Sequence, residues 1–234
     1  MSAGAGSLRD KVAVVTGGAS GLGRATALAL AAAGAEIVVA DVDADGGEEV
    51  AGLVGGHFVR TDVADLAANE AMIAFAAERC GGVDLVFLNA GLASGTAVGE
   101  GFDLERYRTV MGVNLDGVVF GTQAALPALR ARGGGAIVAT ASLAGLAAVP
   151  LDPLYAANKH AVVGLARSLG PALAPEGIRF NAICPGFAVS AMTAPLEGAL
   201  KEAGVDLIPA ETVAETVVRI FAGDGAGECW FVQL

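Results

Sequence analysis

Tyr155 and Lys159 stand four residues apart, within a stretch that has the composition of a buried helix. Residues at i and i+4 share one face of a helix, so the phenol and the ammonium would be neighbours. A free phenol titrates near about pH 10 and is a poor base at neutral pH. An adjacent cation favours the phenolate, so the pair predicts a site that moves a proton. The pair alone also fits an ordinary amphipathic helix with one surface lysine.

A glycine-rich turn, Thr16-Gly17-Gly18-Ala19-Ser20-Gly21-Leu22-Gly23, follows the first apolar segment. Glycines allow a tight turn and let backbone N–H groups approach a pyrophosphate at the start of the next helix. Asp41 ends the second apolar segment, where a carboxylate can accept hydrogen bonds from ribose hydroxyls. The residues that follow, Val42 to Asp45, are acidic or apolar and would repel a 2′-phosphate. These features predict NAD rather than NADP, with a plain βα turn and a solvated carboxylate as the alternatives.

Apolar segments of strand length alternate with helical segments along the whole chain, which predicts a parallel sheet covered on both faces. The fold class is therefore α/β, a single doubly wound (Rossmann) domain with a mostly parallel seven-stranded sheet. Strands are predicted at 12–15, 37–40, 57–60, 85–88, 135–140, 179–183 and 229–232. Helices are predicted at 22–33, 46–53, 66–79, 104–130, 154–173 and 211–221, with Pro127 expected to end or kink the long one. Residues 1–10 are expected to form a flexible tail before the domain at 11–234.

Several motifs in a fixed order make the sequence resemble the classical short-chain dehydrogenase/reductase family, from Lys11 to about Val232. The matching pieces are the turn Thr16–Gly23, Asp62-Val63, Asn89-Ala90-Gly91, Asn114, Ser142, Tyr155-x-x-x-Lys159 and Pro185-Gly186. The resemblance implies an oxidoreductase that moves a hydride between NAD and a secondary alcohol or ketone. It also implies the catalytic set Asn114, Ser142, Tyr155 and Lys159.

In the family, these four residues have separate roles. By resemblance, Tyr155 accepts the proton in oxidation and donates it in reduction, while Lys159 lowers its pKa and bonds the nicotinamide ribose. Ser142 orients the substrate oxygen, and Asn114 holds a water that links Lys159 to solvent. The implied cofactor contacts are Gly17, Ser20, Gly21, Leu22, Gly23, Asp41, Val42, Asp62, Val63, Asn89, Ala90, Gly91, Tyr155, Lys159, Pro185, Gly186, Ala188 and Ser190.

Three positions depart from the commonest family pattern. Asn158 stands where serine is usual before the lysine, and Ser190 replaces a threonine while keeping the hydroxyl. The C-terminal segment 227–234 lacks the glycine-rich ending of tetrameric members, which puts the tetramer in doubt. We expect a homodimer or a homotetramer.

The charge balance limits the partners. The net charge is −11, with 54% hydrophobic residues, and no basic stripe is present. These values argue against nucleic acid and against an anionic membrane surface. Three distant cysteines and a start without a signal peptide predict a cytoplasmic protein with reduced thiols. No metal site is predicted.

The loops after the strands predict an apolar substrate. Their large side chains are mostly apolar, namely Leu92, Leu146, Val149, Leu151, Phe187, Met192 and Leu196. No Arg or Lys precedes Lys201 in these loops, whereas a carboxylate or phosphate substrate would favour one. The alternative is that these residues only close the core, while backbone and a partner subunit shape the true pocket. Residues 186–207 are predicted to form a lid.

Two other functions stay open. An NADP-dependent carbonyl reductase would use the same catalytic residues with a different cofactor. A non-catalytic dinucleotide-binding protein could share the fold, although it would not require Ser142, Tyr155 and Lys159 together.

Overall fold

The computed structural model describes residues 8–233 and shows seven parallel strands in one sheet. The strands are β1 Val12–Thr16, β2 Glu36–Asp41, β3 His57–Arg60, β4 Leu85–Leu88, β5 Gly135–Thr140, β6 Ile178–Pro185 and β7 Cys229–Val232. Their spatial order is β3-β2-β1-β4-β5-β6-β7, with every neighbouring pair parallel. The order reverses between β1 and β4, and in open α/β sheets ligands bind at the carboxyl ends beside such a reversal.

Eight α-helices connect the strands within residues 8–233. They are α1 Gly21–Ala32, α2 Ala44–Val54, α3 Leu66–Cys80, α4 Leu104–Met111, α5 Gly117–Ala131, α6 Pro153–Leu173, α7 Glu197–Glu202 and α8 Ala210–Ala222. Two buried apolar clusters cover the two faces of the sheet. The strands are buried on both sides, which explains why their sequences lack polar alternation. The predicted fold class is confirmed.

The predicted helix 104–130 is divided in the structure, and it does not end at Pro127. A π-helical turn, Gly112–Asp116, separates α4 from α5. Pro127 neither ends nor interrupts α5, which continues to Ala131. Pro127 cannot donate to the carbonyl of Gln123, but both residues are exposed, so water can satisfy that carbonyl.

The domain begins earlier than predicted. Of the expected tail, residues 1–7 lie outside the described part of the chain. Leu8, however, is buried in the core, and its N–H donates to Ala33 at 3.0 Å. The boundary at Lys11 is therefore too late by at least three residues.

Asp84 ties together the amino ends of the strands, opposite the predicted site. It is buried and accepts the Val12 N–H at 3.0 Å, while Lys11 and Arg132 donate to its carboxylate. Burial alone would raise the pKa of Asp84, but the Val12 N–H, Arg132 and Lys11 outweigh it and hold that pKa low. This carboxylate links β1, β4 and the end of α5.

Candidate active site

The glycine turn after β1 has no room for side chains. A Cβ on Gly17, where φ is +63°, would lie 2.8 Å from the Cα of Ala90, and one on Gly23 would lie 2.0 Å from the Gly17 carbonyl oxygen. Ser20 precedes α1 without capping it through its side chain. The first N–H groups of a helix lack partners within it, so the start of α1 is available to an anion.

Asp41 lies at the rim of this turn and is held on both oxygens. Its Oδ2 accepts the Ala19 N–H at 3.0 Å, and its Oδ1 accepts the Asp43 N–H at 3.1 Å. Arg60 of β3 is the register partner of Asp41, so strand pairing places a cation on the strand next to it. The residues beside Asp41 in the sequence include no cation. The carboxylate is fixed in place and keeps lone pairs for a ligand.

A chain of hydrogen bonds runs from the glycine turn to Lys159 across three strands. The Thr16 hydroxyl accepts the Asn89 and Ala90 N–H groups, and the Asn89 amide donates to the Thr16 carbonyl at 3.1 Å. The Thr140 hydroxyl donates to Asn89 Oδ1 at 3.1 Å, and Lys159 Nζ donates to the Thr140 carbonyl at 2.8 Å. Thr16 and Thr140 were not predicted as site residues, although both end strands beside predicted motifs.

Tyr155, Ser142 and Lys159 converge at the carboxyl end of β5. Lys159 is 3% exposed, and its Nζ lies 5.6 Å from the centroid of the Tyr155 ring. The Ser142 hydroxyl accepts the Ala144 N–H at 3.1 Å and lies 3.4 Å from the Pro185 carbonyl. The Ser142 side chain also lowers the pKa of Tyr155, which indicates that the two hydroxyl groups are neighbours. The structure therefore brings together the three side chains that we predicted to act in proton transfer.

Burial dominates the electrostatics of this pair. Burial raises the pKa of Tyr155, Ser142 opposes that rise through its hydrogen bond, and the Asp152 carboxylate adds to it. The causes of this rise do not include Lys159, so the expected lowering of the Tyr155 pKa by Lys159 stays a prediction. Burial lowers the pKa of Lys159 itself to about 8. Within the protein, Lys159 is therefore held closer to its neutral form than a surface lysine.

Asn114 lies in the π-helical turn and is 1% exposed. Its Oδ1 accepts the Leu92 N–H at 2.7 Å, and its Nδ2 donates to the Leu92 carbonyl at 2.8 Å. A Cβ on Gly91 would lie 3.4 Å from Asn114 Oδ1 and 3.9 Å from Lys159 Nζ. The side chain thus anchors the loop after β4 close to Lys159, a contact that the expected water-holding role did not include.

Sequence reasoning missed a polar clamp beside Tyr155. The Ser94 hydroxyl lies 2.7 Å from both carboxylate oxygens of Asp152, and Asp152 caps α6 by accepting the Tyr155 N–H at 3.0 Å. Arg106 donates to the carbonyls of Ala93 and Ser94 at 2.6 and 2.9 Å. The sequence could have indicated the role of Asp152, because Asp followed by Pro before a helical segment is a typical helix start.

The remaining predicted cofactor residues lie at the same edge. Asp62 and Val63 follow β3, where Asp62 accepts the Ala64 N–H and the Val63 carbonyl accepts from Asn69. Pro185 ends β6, and Gly186 and Ala188 follow it. Ser190 faces the glycine turn, since a Cβ on Gly21 would lie 3.5 Å from its Cβ. Val42, just after β2, is exposed.

The apolar side chains of the surrounding loops do not close the core. None of the seven predicted substrate-side residues belongs to, or packs against, either buried cluster. Leu151, four residues before Tyr155, is 98% exposed, and Leu146, Phe187 and Leu196 are exposed as well. These side chains therefore do not close the core, and a substrate or a partner subunit could still cover them.

The comparisons with known proteins agree with this geometry. A family model described as short chain dehydrogenase matches residues 11–200. The chain is 36% identical to cyclohexanol dehydrogenase of Acinetobacter sp. over 195 residues (81% of this chain, 78% of that protein). It is 40% identical to levodione reductase of Leifsonia aquatica over 184 residues (76% and 69%). The fold matches a 3-ketoacyl-(acyl-carrier-protein) reductase from Brucella melitensis, complexed with NADH, with a TM-score of 0.89 at 28% identity (97% and 98%). Among residues 8–233, no helix is long and apolar enough to cross a membrane.

Proposed function

The chain belongs to the short-chain dehydrogenase/reductase family, and we propose that it transfers a hydride between NAD and a cyclic secondary alcohol or ketone. The observation that carries the proposal is the convergence of Tyr155, Ser142 and Lys159 beside the glycine turn. These three groups stand where a substrate oxygen can meet an acid or base and a hydrogen-bond donor. A binding module would not require that set.

In the proposed reaction, Tyr155 takes the alcohol proton and returns it to the ketone in the reverse direction. Ser142 donates a hydrogen bond to the same oxygen and fixes it against Tyr155. Lys159, bonded to the Thr140 carbonyl at 2.8 Å, places a cation next to the phenol and opposes the effect of burial as the phenolate forms. Asn114 holds the Leu92 loop at one side of the site. A bound nicotinamide supplies the hydride acceptor or donor.

The glycine turn fits a dinucleotide in its shape and its donors. Gly17 and Gly23 let the backbone pack tightly in this turn, where any Cβ would clash, and the uncapped start of α1 offers N–H groups to phosphate. Asp41 stands at the end of β2, where it can accept ribose hydroxyls. Its carboxylate would repel a 2′-phosphate, which supports NAD. The reductase from Brucella melitensis, similar in fold, was complexed with NADH.

The apolar rim supports the substrate class. Leu146, Leu151, Phe187 and Leu196 expose apolar surface around the site, and Arg106 is already bonded to backbone carbonyls. A ring-shaped apolar alcohol would cover this surface without needing a charged partner. Two relatives are named cyclohexanol dehydrogenase and levodione reductase, after a cyclic alcohol and a ketone.

A second candidate, an NADP-dependent reductase, is favoured by one observation. Arg60 is the register partner of Asp41, so a cation stands on the neighbouring strand beside the ribose-binding position. An arginine there could pair with a 2′-phosphate. The Asp41 carboxylate, held by two backbone N–H groups, opposes that binding.

Three further features belong to the proposal. Residues 186–207 form a lid over cofactor and substrate, with both ends joined by the bridge between Ala188 and Ile208. Limited proteolysis should show this segment protected by NADH, and unchanged cleavage would contradict a lid. We place the protein in the cytoplasm as a homodimer or homotetramer, and a monomer in light scattering would contradict the assembly.

Thermal unfolding with four nucleotides tests the cofactor. NAD⁺ and NADH at about 100 times their dissociation constants should stabilise the protein by roughly 2.7 kcal/mol, and NADP⁺ and NADPH by less. Asp41→Ala should erode this preference, whereas Asp45→Ala, which removes the same charge from the exposed start of α2, should not. If NADP⁺ stabilises more and Arg60→Ala removes its effect, the second candidate is correct. If none of the four shifts the melt, the site binds no dinucleotide.

A further inference from the structure

A second cluster of chemically active side chains lies at the amino ends of the strands, away from the active site. It consists of Glu36 at the start of β2, His57 at the start of β3 and Cys80 at the end of α3. One ligand atom from each residue lies within 4.8 Å of the other two. We call this set the Glu36–His57–Cys80 cluster.

Strand register explains why the three meet. His57 is the register partner of Val38, and Glu36 lies two residues before Val38, so both side chains project from the same face of the sheet. Helix α3 packs on that face through its buried residues Met72, Ile73 and Ala76. Its last turn therefore carries Cys80 over the two strand starts.

The contacts inside the cluster suit a metal ion. Glu36 Oε1 lies 3.7 Å from His57 Nε2, and the Cys80 sulfur lies within 4.8 Å of a ligand atom of each of these two residues. Tetrahedral zinc, with bonds of about 2.0 to 2.3 Å, separates its ligand atoms by about 3.4 to 3.6 Å. The Glu36–His57 distance of 3.7 Å is close to this separation, and binding of the ion would draw the Cys80 sulfur in from within 4.8 Å.

Neighbouring residues orient the histidine. The Phe75 ring packs edge-on against His57, with centroids 6.4 Å apart and planes at 83°. Arg79 stacks over Phe75 at 5.6 Å, with its guanidinium on the aromatic ring. His57 is thus supported on one side while its Nε2 faces Glu36.

We propose that Glu36, His57 and Cys80 form a Zn²⁺ site with three protein ligands and a position open to water. The ligand set selects the metal, because thiolate and imidazole favour zinc whereas Mg²⁺ and Ca²⁺ favour oxygen ligands. One carboxylate and one thiolate balance the charge of the ion. Binding replaces the thiol S–H bond with a zinc–sulfur bond and releases the proton to solvent. The ion joins β2, β3 and α3, so it stabilises the sheet edge.

Cobalt and zinc titrations of the full-length, chelator-treated chain test this site without any enzyme assay. Co²⁺ should give a thiolate-to-cobalt charge-transfer band in the near ultraviolet, and one Zn²⁺ per chain should remove it. Cys80→Ser should abolish the band and weaken Zn²⁺ binding roughly 100-fold or more, and His57→Gln should weaken it about as much.

The sequence offers matched controls, because it contains two histidines and three cysteines. Cys229→Ser and His160→Gln, which change residues outside the cluster, should leave the band and the zinc affinity unchanged. Zn²⁺ should also raise the melting temperature of the wild type but not of Cys80→Ser, which separates metal binding from a folding defect. A missing band, or zinc binding that survives Cys80→Ser and His57→Gln, would overturn the proposal.

Discussion

Replacing Asp152 with asparagine should shift the pH dependence of catalysis while keeping the start of α6 intact. Burial raises the pKa of Tyr155, a hydrogen bond from Ser142 lowers it, and the Asp152 carboxylate raises it. Tyr155 must lose its own proton before it can accept one from an alcohol. Removing the charge of Asp152 lowers the pKa of Tyr155, so the acid limb of kcat/KM for oxidation moves to lower pH.

The structure also sets the size of the effect on stability. Asparagine still offers an oxygen to the Tyr155 N–H at 3.0 Å, and Asn and Asp cap helices about equally well. The bond from Ser94 at 2.7 Å changes from charge-assisted to neutral. Charged hydrogen bonds are roughly twice as strong as neutral ones, which are worth about 1 kcal/mol. We therefore expect a loss of about 1 kcal/mol, or a melting temperature lower by about 2 to 4 °C.

The position of the acid limb is measured from kcat/KM at a series of pH values, with NAD⁺ and a cyclic alcohol such as cyclohexanol. The matched control is Ser94→Ala. That variant removes the hydrogen bond altogether, whereas Asp152→Asn only weakens it, and it keeps the carboxylate. It should lower the melting temperature at least as much as Asp152→Asn, without moving the acid limb to lower pH. An acid limb at the wild-type position in Asp152→Asn, or an equal shift in both variants, would refute the electrostatic reasoning.

Three further changes have defined outcomes. Gly23→Ala should abolish the melting shift given by NADH, because its Cβ would meet the Gly17 carbonyl oxygen at 2.0 Å and distort the glycine turn; a shift equal to that of the wild type would contradict binding at this turn. Asp84→Asn should lower the free energy of unfolding, measured in urea at pH 7, by about 1.5 to 3 kcal/mol. The folded-state pKa of Asp84 is lowered, so this difference should be present above about pH 4 and vanish as the pH falls through that pKa. Lys159→Met should lose activity without losing stability, since burial lowers the lysine pKa to about 8. Between about pH 8 and 10 the unfolded wild type binds more protons, so wild-type stability should rise relative to Lys159→Met; a flat difference would contradict this.

The sheet was predictable from sequence because its strands are buried on both faces. The strands β3, β4 and β5 have the predicted bounds, since apolar segments flanked by turn residues fix them. The π-helical turn at Gly112–Asp116 and the short helix α7 were missed. Their sequences have no periodicity that separates them from a plain helix or a loop.

The candidate site was predictable where its motifs are contiguous, as in the glycine turn and the Tyr155–Lys159 pair. The residues that hold these motifs in place could not be predicted, because they lie far apart in the sequence. Thr140 reaches Lys159 and Asn89 only through strand pairing, and Arg60 becomes a neighbour of Asp41 in the same way. The direction of the pKa change at Tyr155 depends on burial, which the sequence does not give residue by residue.

The central claim is that Tyr155 is the acid and base of an NAD-dependent alcohol dehydrogenase. The most direct measurement is NADH formation from NAD⁺ and a panel of cyclic secondary alcohols, comparing wild type, Tyr155→Phe and Tyr107→Phe, which changes the only other tyrosine. We predict turnover by wild type and Tyr107→Phe, and a fall of about 10² to 10⁴ in Tyr155→Phe with its NADH-induced melting shift retained. Undiminished turnover in Tyr155→Phe, or no turnover of any alcohol or ketone by a wild type that binds NADH, would contradict the account.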